Sequence, residues 1–97
     1  MKYEAFIQHV TEHAAPPDGI FEPLRALWHA QKGEWDTAHR VAQDITNSDG
    51  SWIHANLHRE EGDPGNARYW YERAGRPESK LPVEEERAEL ILHFLDA

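Results

Sequence analysis

The sequence predicts an all-α protein of about six helices, arranged as a helical repeat of two degenerate hairpins with a flanking helix at each end. The first observation is an internal match at an offset of 29 residues. Ala26, His29, Gly33 and Ala38 align with Ala55, His58, Gly62 and Ala67, and apolar positions recur at Val41/Trp70, Ala42/Tyr71 and Ile45/Ala74. The second is that apolar residues elsewhere recur at helical spacing, while no segment alternates with a period of two. The 97 residues are read as one domain, with repeat 1 over about 21–46, repeat 2 over about 51–75, and flanking helices over about 3–14 and 82–96.

Each element has a local reason. Tyr3, Phe6, Ile7, Val10 and Ala14 form one apolar stripe, ended by Pro16-Pro17-Asp18-Gly19. A second helix begins near Phe21 or Pro23, where a proline's missing N–H would be unpaired anyway, and runs to Lys32. Gly33 caps it. Trp35, Ala38, Val41, Ala42 and Ile45 mark a third helix over Glu34–Thr46. Asn47-Ser48-Asp49-Gly50 reads as the clearest loop in the chain. Ser51–Glu61 is the fourth helix, stopped by Gly62. Asp63-Pro64 reads as an N-cap followed by proline at the first helical position, opening a fifth helix to about Ala74. Pro82 opens a sixth, whose first turn holds Glu84, Glu85 and Glu86, complementing the helix dipole. Leu90, Ile91, Phe94 and Leu95 form its apolar stripe.

Composition narrows the function classes. The formal charge is −8, with 18 acidic and 10 basic residues, which argues against nucleic acid and its phosphates. There is no cysteine, so disulfides and thiolate metal sites are excluded. No apolar run reaches the roughly 18 residues of a membrane span. The N-terminal segment has no apolar stretch of signal-peptide length, so a cytoplasmic location is expected. Seven histidines and four tryptophans are many for this length.

The pattern of small residues has a packing reason. Helices joined by a tight glycine turn approach closely beside it, and Ala26/Ala55 and Ala38/Ala67 permit that approach. These residues resemble the tetratricopeptide repeat: Ala26…Gly33-Glu34-Trp35…Ala38 fits its small-residue, Gly-acidic-aromatic, Ala pattern. Ala55…Gly62-Asp63-Pro64…Ala67 fits it except for proline in the aromatic place. Gly75-Arg76-Pro77 resembles the closing proline. The period of 29 falls short of that family's roughly 34. Separately, the Trp52–Tyr71 segment is similar to one carried by a family of small bacterial proteins, a likeness that implies no activity.

Trp52, Asn56 and Arg59 share one helix face at about 100° per residue. The tetratricopeptide resemblance implies that this face lines a concave groove, where an amide and a guanidinium could hold the carboxylate of a peptide or small acid. Pro23, Leu27 and Ala30 occupy the matching places of the first hairpin. In the run Tyr69-Trp70-Tyr71, Tyr71 is expected to face the paired helix and Trp70 the last helix near Phe94. Tyr69 is left for solvent or a ligand. The bland alternative is that Trp52 packs on a neighbouring helix and Arg59 pairs with acidic groups.

His54, His58 and Glu61 lie on the opposite side of that helix, at a spacing that can ligate a metal. Packing is the preferred explanation, because His58 repeats His29 where a partly buried, hydrogen-bonded side chain fits. No cofactor or metal is therefore expected. The expected function is a non-catalytic protein- or peptide-binding or assembly module, with no nucleic acid or membrane partner and a possible homodimer through the C-terminal helix. The alternative is a small ligand- or metal-binding protein, or an enzyme, with a His/Arg/aromatic site on the second hairpin.

Overall fold

A computed structural model describes residues 1–97. Its helices are α1 (Tyr3–Glu12), α2 (Glu22–Gln31), α3 (Trp35–Gln43), α4 (Ser48–Glu61), α5 (Pro64–Ala74) and α6 (Val83–Leu95). There is no strand, as the lack of period-two alternation predicts. No helix is long and apolar enough to cross a membrane.

The two glycine turns close identically. Gly33 and Gly62 hold φ of +87° and +84°, the left-handed region where a side chain is strained. Past each glycine the next N–H reaches back five residues: Glu34 to the His29 carbonyl and Asp63 to the His58 carbonyl, both at 2.9 Å. This satisfies carbonyls that a helix end would otherwise leave unpaired. Ala26, Ala38, Ala55 and Ala67 are all buried beside these turns.

The second boundary departs from its expected place. Asn47-Ser48-Asp49-Gly50 reads as a loop, yet α4 begins at Ser48, with the Asn47 side chain accepting from the Asp49 N–H at 3.0 Å. α3 in turn stops at Gln43 rather than near Thr46. Gly50 works here by lacking a side chain. A Cβ on it would lie 2.1 Å from the Ile45 carbonyl oxygen and 2.9 Å from that of Ala42. The chain doubles back so tightly that the first turn of α4 lies on the end of α3.

The flanking helices meet. α6 packs on α2 and α4, and α1 packs on both α2 and α6. One continuous core results, in which Phe6, Leu27, Trp28, Ile53, Leu57, Leu90 and Ile91 are fully enclosed. Lys32 pins the end of α1 by donating to the Val10 and His13 carbonyls at 2.7 and 2.6 Å, a favourable place for a cation. α6 spends Leu90, Ile91 and Phe94 on this core, leaving Leu92 exposed and Leu95 half-buried. The stripe expected to offer a dimer surface is thus mostly consumed within the chain.

Candidate functional site

The face carrying Trp52, Asn56 and Arg59 does come together, but α6 lies on it. Glu86, 1% exposed, inserts its carboxylate among them. Oε1 accepts from Asn56 Nδ2 at 2.9 Å and from the Arg59 guanidinium at 2.7 Å. Oε2 accepts from Trp52 Nε1 at 3.2 Å and from the Tyr71 hydroxyl at 2.5 Å. Arg87 extends the network, donating to Asn56 Oδ1 at 2.9 Å and to Glu60 at 2.8 Å. Arg59 also donates to the Leu81 carbonyl, and the Arg76 guanidinium lies over the Trp52 ring, 3.4 Å from its centroid. The groove expected on this face is filled: Pro23, Leu27 and Ala30 of α2 are buried as well. The residue types suited to a carboxylate do hold one, and it belongs to the chain itself.

The opposite side of α4 borders a cavity. The cavity, of about 530 Å³, lies where α3, α4 and the start of α5 meet, with Trp35, His39, His54, His58, Asn66 and Trp70 in its wall. His54 and His58 project from α4 as the i, i+4 pair that the spacing indicates. The structure adds His39 from α3. One ring nitrogen from each of the three histidines lies within 4.8 Å of the other two. Trp70 turns away from α6, contrary to expectation, and stacks on His54 with centroids 4.0 Å apart. Trp35 stacks on His39 at 4.9 Å and anchors α3 to α4 by donating to the Leu57 carbonyl at 2.8 Å. Tyr69, 50% exposed, lies at the cavity's edge.

Two features separate this cluster from ordinary packing. His54 is 3% exposed, and neither of its ring nitrogens has a hydrogen-bond partner. Buried polar atoms are nearly always paired, and each orphan costs about 1–3 kcal/mol. The second feature is protonation. Burial, then the neighbouring His39 and His58, push His54 down to about 4. Burial and His58 lower His39 too, against a smaller opposite pull from Glu61 and Asp36. Both rings are therefore neutral at pH 7, the form that ligates metals.

His58 is oriented from outside. Its Nδ1 lies 2.9 Å from Glu61 Oε1, and an ionised carboxylate only accepts. A proton is thus on Nδ1, which leaves Nε2 as the nitrogen that would meet a metal. Carboxylate support of this kind is how metal-binding imidazoles are commonly held. Glu61 and Asp63 also form a second acidic grouping with His58. Asp63 is occupied as the N-cap of α5, accepting from the Asn66 N–H at 3.2 Å.

Sequence spacing could find His54 and His58 because they share a helix. It could not find His39, whose place depends on how one hairpin stacks on the next. Trp35 and His39, four apart on one face of α3, were the available signal. Compared with known proteins, the chain matches no protein-family model, no curated protein and no solved structure.

Proposed function

We propose that the protein binds a divalent transition-metal ion through His39, His54 and His58. The buried, unpartnered imidazole of His54 carries this reading, because a metal bond would give one of its nitrogens a partner. Tetrahedral coordination at about 2.0–2.1 Å sets neighbouring donors roughly 3.3 Å apart. The three nitrogens, within 4.8 Å of one another, would have to close by at most ~1.5 Å to reach that geometry. Three neutral imidazoles suit Zn²⁺ and its first-row neighbours rather than Mg²⁺ or Ca²⁺.

The test is metal content and stabilisation. Untagged protein is expected to carry near-equimolar zinc or a neighbouring metal. After chelation, zinc at 100 times Kd should stabilise it by about 2.7 kcal/mol. His39→Ala and His54→Ala should each remove the gain. Absence of metal, with no stabilisation on adding it, overturns the reading.

A second reading, an assembly module with tetratricopeptide-like hairpins, is supported by a different feature. An apolar recess of about 390 Å³ opens between Phe21, Leu24, Phe94 and Leu95, and Phe21 is 49% exposed at its edge. If a second copy covers it, the mass doubles with concentration and Phe21→Asp restores the monomer. A monomeric mass throughout the micromolar range removes self-association from this reading.

A further inference from the structure

The cavity is larger than an ion needs, and its chemistry bears on what kind of metal site this is. We propose that the ion held by His39, His54 and His58 keeps one exchangeable coordination position facing the cavity, and that this position takes water or a small monoanion. This rests on the metal-binding reading above and deepens it: the ion would be a reactive or ligand-binding centre instead of a structural one.

Ligand count is the first argument. Structural zinc sites close with four protein donors, while sites that handle a substrate hold three and leave the fourth position for an outside molecule. The two carboxylates nearest the cluster each already accept a hydrogen bond from the chain. Glu61 accepts from His58 Nδ1 at 2.9 Å. Asp63 caps α5 through the Asn66 N–H. Trp70 lies flat on His54 and Trp35 flat on His39, and neither ring offers a metal donor.

Space is the second. The cavity measures about 530 Å³, whereas a water takes about 30 Å³ of liquid volume. Small-molecule sites span about 300–1,000 Å³. A site serving only to cross-link α3 to α4 has no use for such a volume beside it.

Charge selects the ligand. No lysine or arginine lines the cavity, whereas Glu61 and Asp63 do. A divalent ion with three neutral imidazoles is already balanced by those two carboxylates, so water is favoured at the metal, and a dianion is opposed more strongly than a monoanion. Gln43, Asn66 and Tyr69 in the wall bring hydrogen-bonding groups that could orient a small oxygen- or nitrogen-donor molecule.

Cobalt(II) separates this proposal from the reading it rests on. The chelator-treated full chain is titrated with Co²⁺, followed by visible ligand-field absorption, and azide is then added, with sulfate in a parallel titration. The expected result is a one-to-one end point, a saturable band shift with azide, and little or no shift with sulfate. His39→Ala, checked for native helix content by circular dichroism, should lose the cobalt spectrum. If cobalt binds one-to-one but its bands ignore azide, the fourth position is closed; this proposal is overturned and the metal-binding reading stands. If sulfate shifts the bands as readily as azide, the charge selection is overturned. If cobalt does not bind, both fall.

Discussion

Asn56 of α4 and Glu86 of α6 are hydrogen-bonded at 2.9 Å across two buried side chains, and this pair fixes where the last helix lies. Asn56 uses both ends of its amide, giving its Nδ2 hydrogens to Glu86 and to the Val83 carbonyl and accepting from Arg87 at Oδ1. A buried carboxylate with four donors is satisfied only while every partner remains. Glu86→Ala leaves Arg59, Trp52, Asn56 and Tyr71 facing one another without it. Removing one member of a buried ion pair costs about 3–5 kcal/mol. For a chain of this size that is on the order of 12 °C or more in Tm. Glu85→Ala, one residue away and exposed, should change stability by less than ~0.5 kcal/mol. Thermal unfolding of the two variants side by side makes the comparison; equal Tm values would mean that the network does not hold α6.

Tyr71 should betray the same network at high pH. Burial, reinforced by the hydrogen bond to Glu86 and its charge, raises its phenol well above the usual range, with Arg59 opposing. A folded-state value raised above the unfolded one favours the neutral phenol in the native protein. The stability this gives is present below about pH 10 and is lost as pH climbs beyond it. Absorbance titration of the three tyrosines should therefore show one ionising only together with alkaline unfolding. Tyr71→Phe should delete that late step and weaken the fold by roughly 1.5–3 kcal/mol, as expected for a hydrogen bond to a charged group.

Gly50 and Gly65 predict changes of opposite sign. An alanine at Gly50 sets its Cβ against two carbonyl oxygens of the backbone, which cannot rotate aside as a side chain would. Gly50→Ala should destabilise by at least the 1–3 kcal/mol typical of overpacking. At Gly65, in the first turn of α5, the nearest atom to a Cβ is Asp63 Oδ1 at 4.0 Å. Gly65→Ala should stabilise by about 0.4–1 kcal/mol by limiting the unfolded chain. Urea midpoints give both signs directly; a neutral Gly50→Ala would disprove the tight return at the end of α3.

These contrasts show what could be read ahead of the structure. Helix positions were legible wherever a cap was chemically distinct, as at Gly33, Gly62 and Asp63-Pro64. The Asn47–Gly50 boundary misled because a glycine that opens a turn and one that allows close backbone approach look alike in sequence. Trp52, Asn56 and Arg59 were legible as one helix face, since helical spacing alone assembles them, while the expectation of a carboxylate there came only from the tetratricopeptide resemblance. That Glu86 would be the carboxylate was not legible, because it stands in a run of three glutamates that reads as a solvated first turn. His39 was invisible for a related reason. It joins His54 and His58 only across an interface between hairpins, and the shortened period left the stacking of those hairpins undetermined.

His54 gives the fold a specific acid sensitivity. Its folded-state value of about 4 lies below the ordinary 6.5 of an unfolded histidine. Between the two, the unfolded chain binds a proton that the native chain refuses, so stability rises with pH in that window. The contribution is complete above about pH 6.5 and drains away toward pH 4, at no more than about 1.4 kcal/mol per pH unit for one proton. His39, lowered by burial and by His58, adds in the same direction, while Glu61 and Asp36 soften its share. Carboxylates titrate at the low end of the range as well, so the informative quantity is a difference between proteins. His54→Leu keeps an apolar body beside Trp70 and removes the titrating group. Its stability, measured by urea unfolding of the chelator-treated chains at half-unit steps from pH 7 to pH 4, should fall less steeply than that of the parent chain. Parallel curves would mean that His54 accepts a proton in the folded state, and that its ring nitrogens are reached by water or a partner side chain.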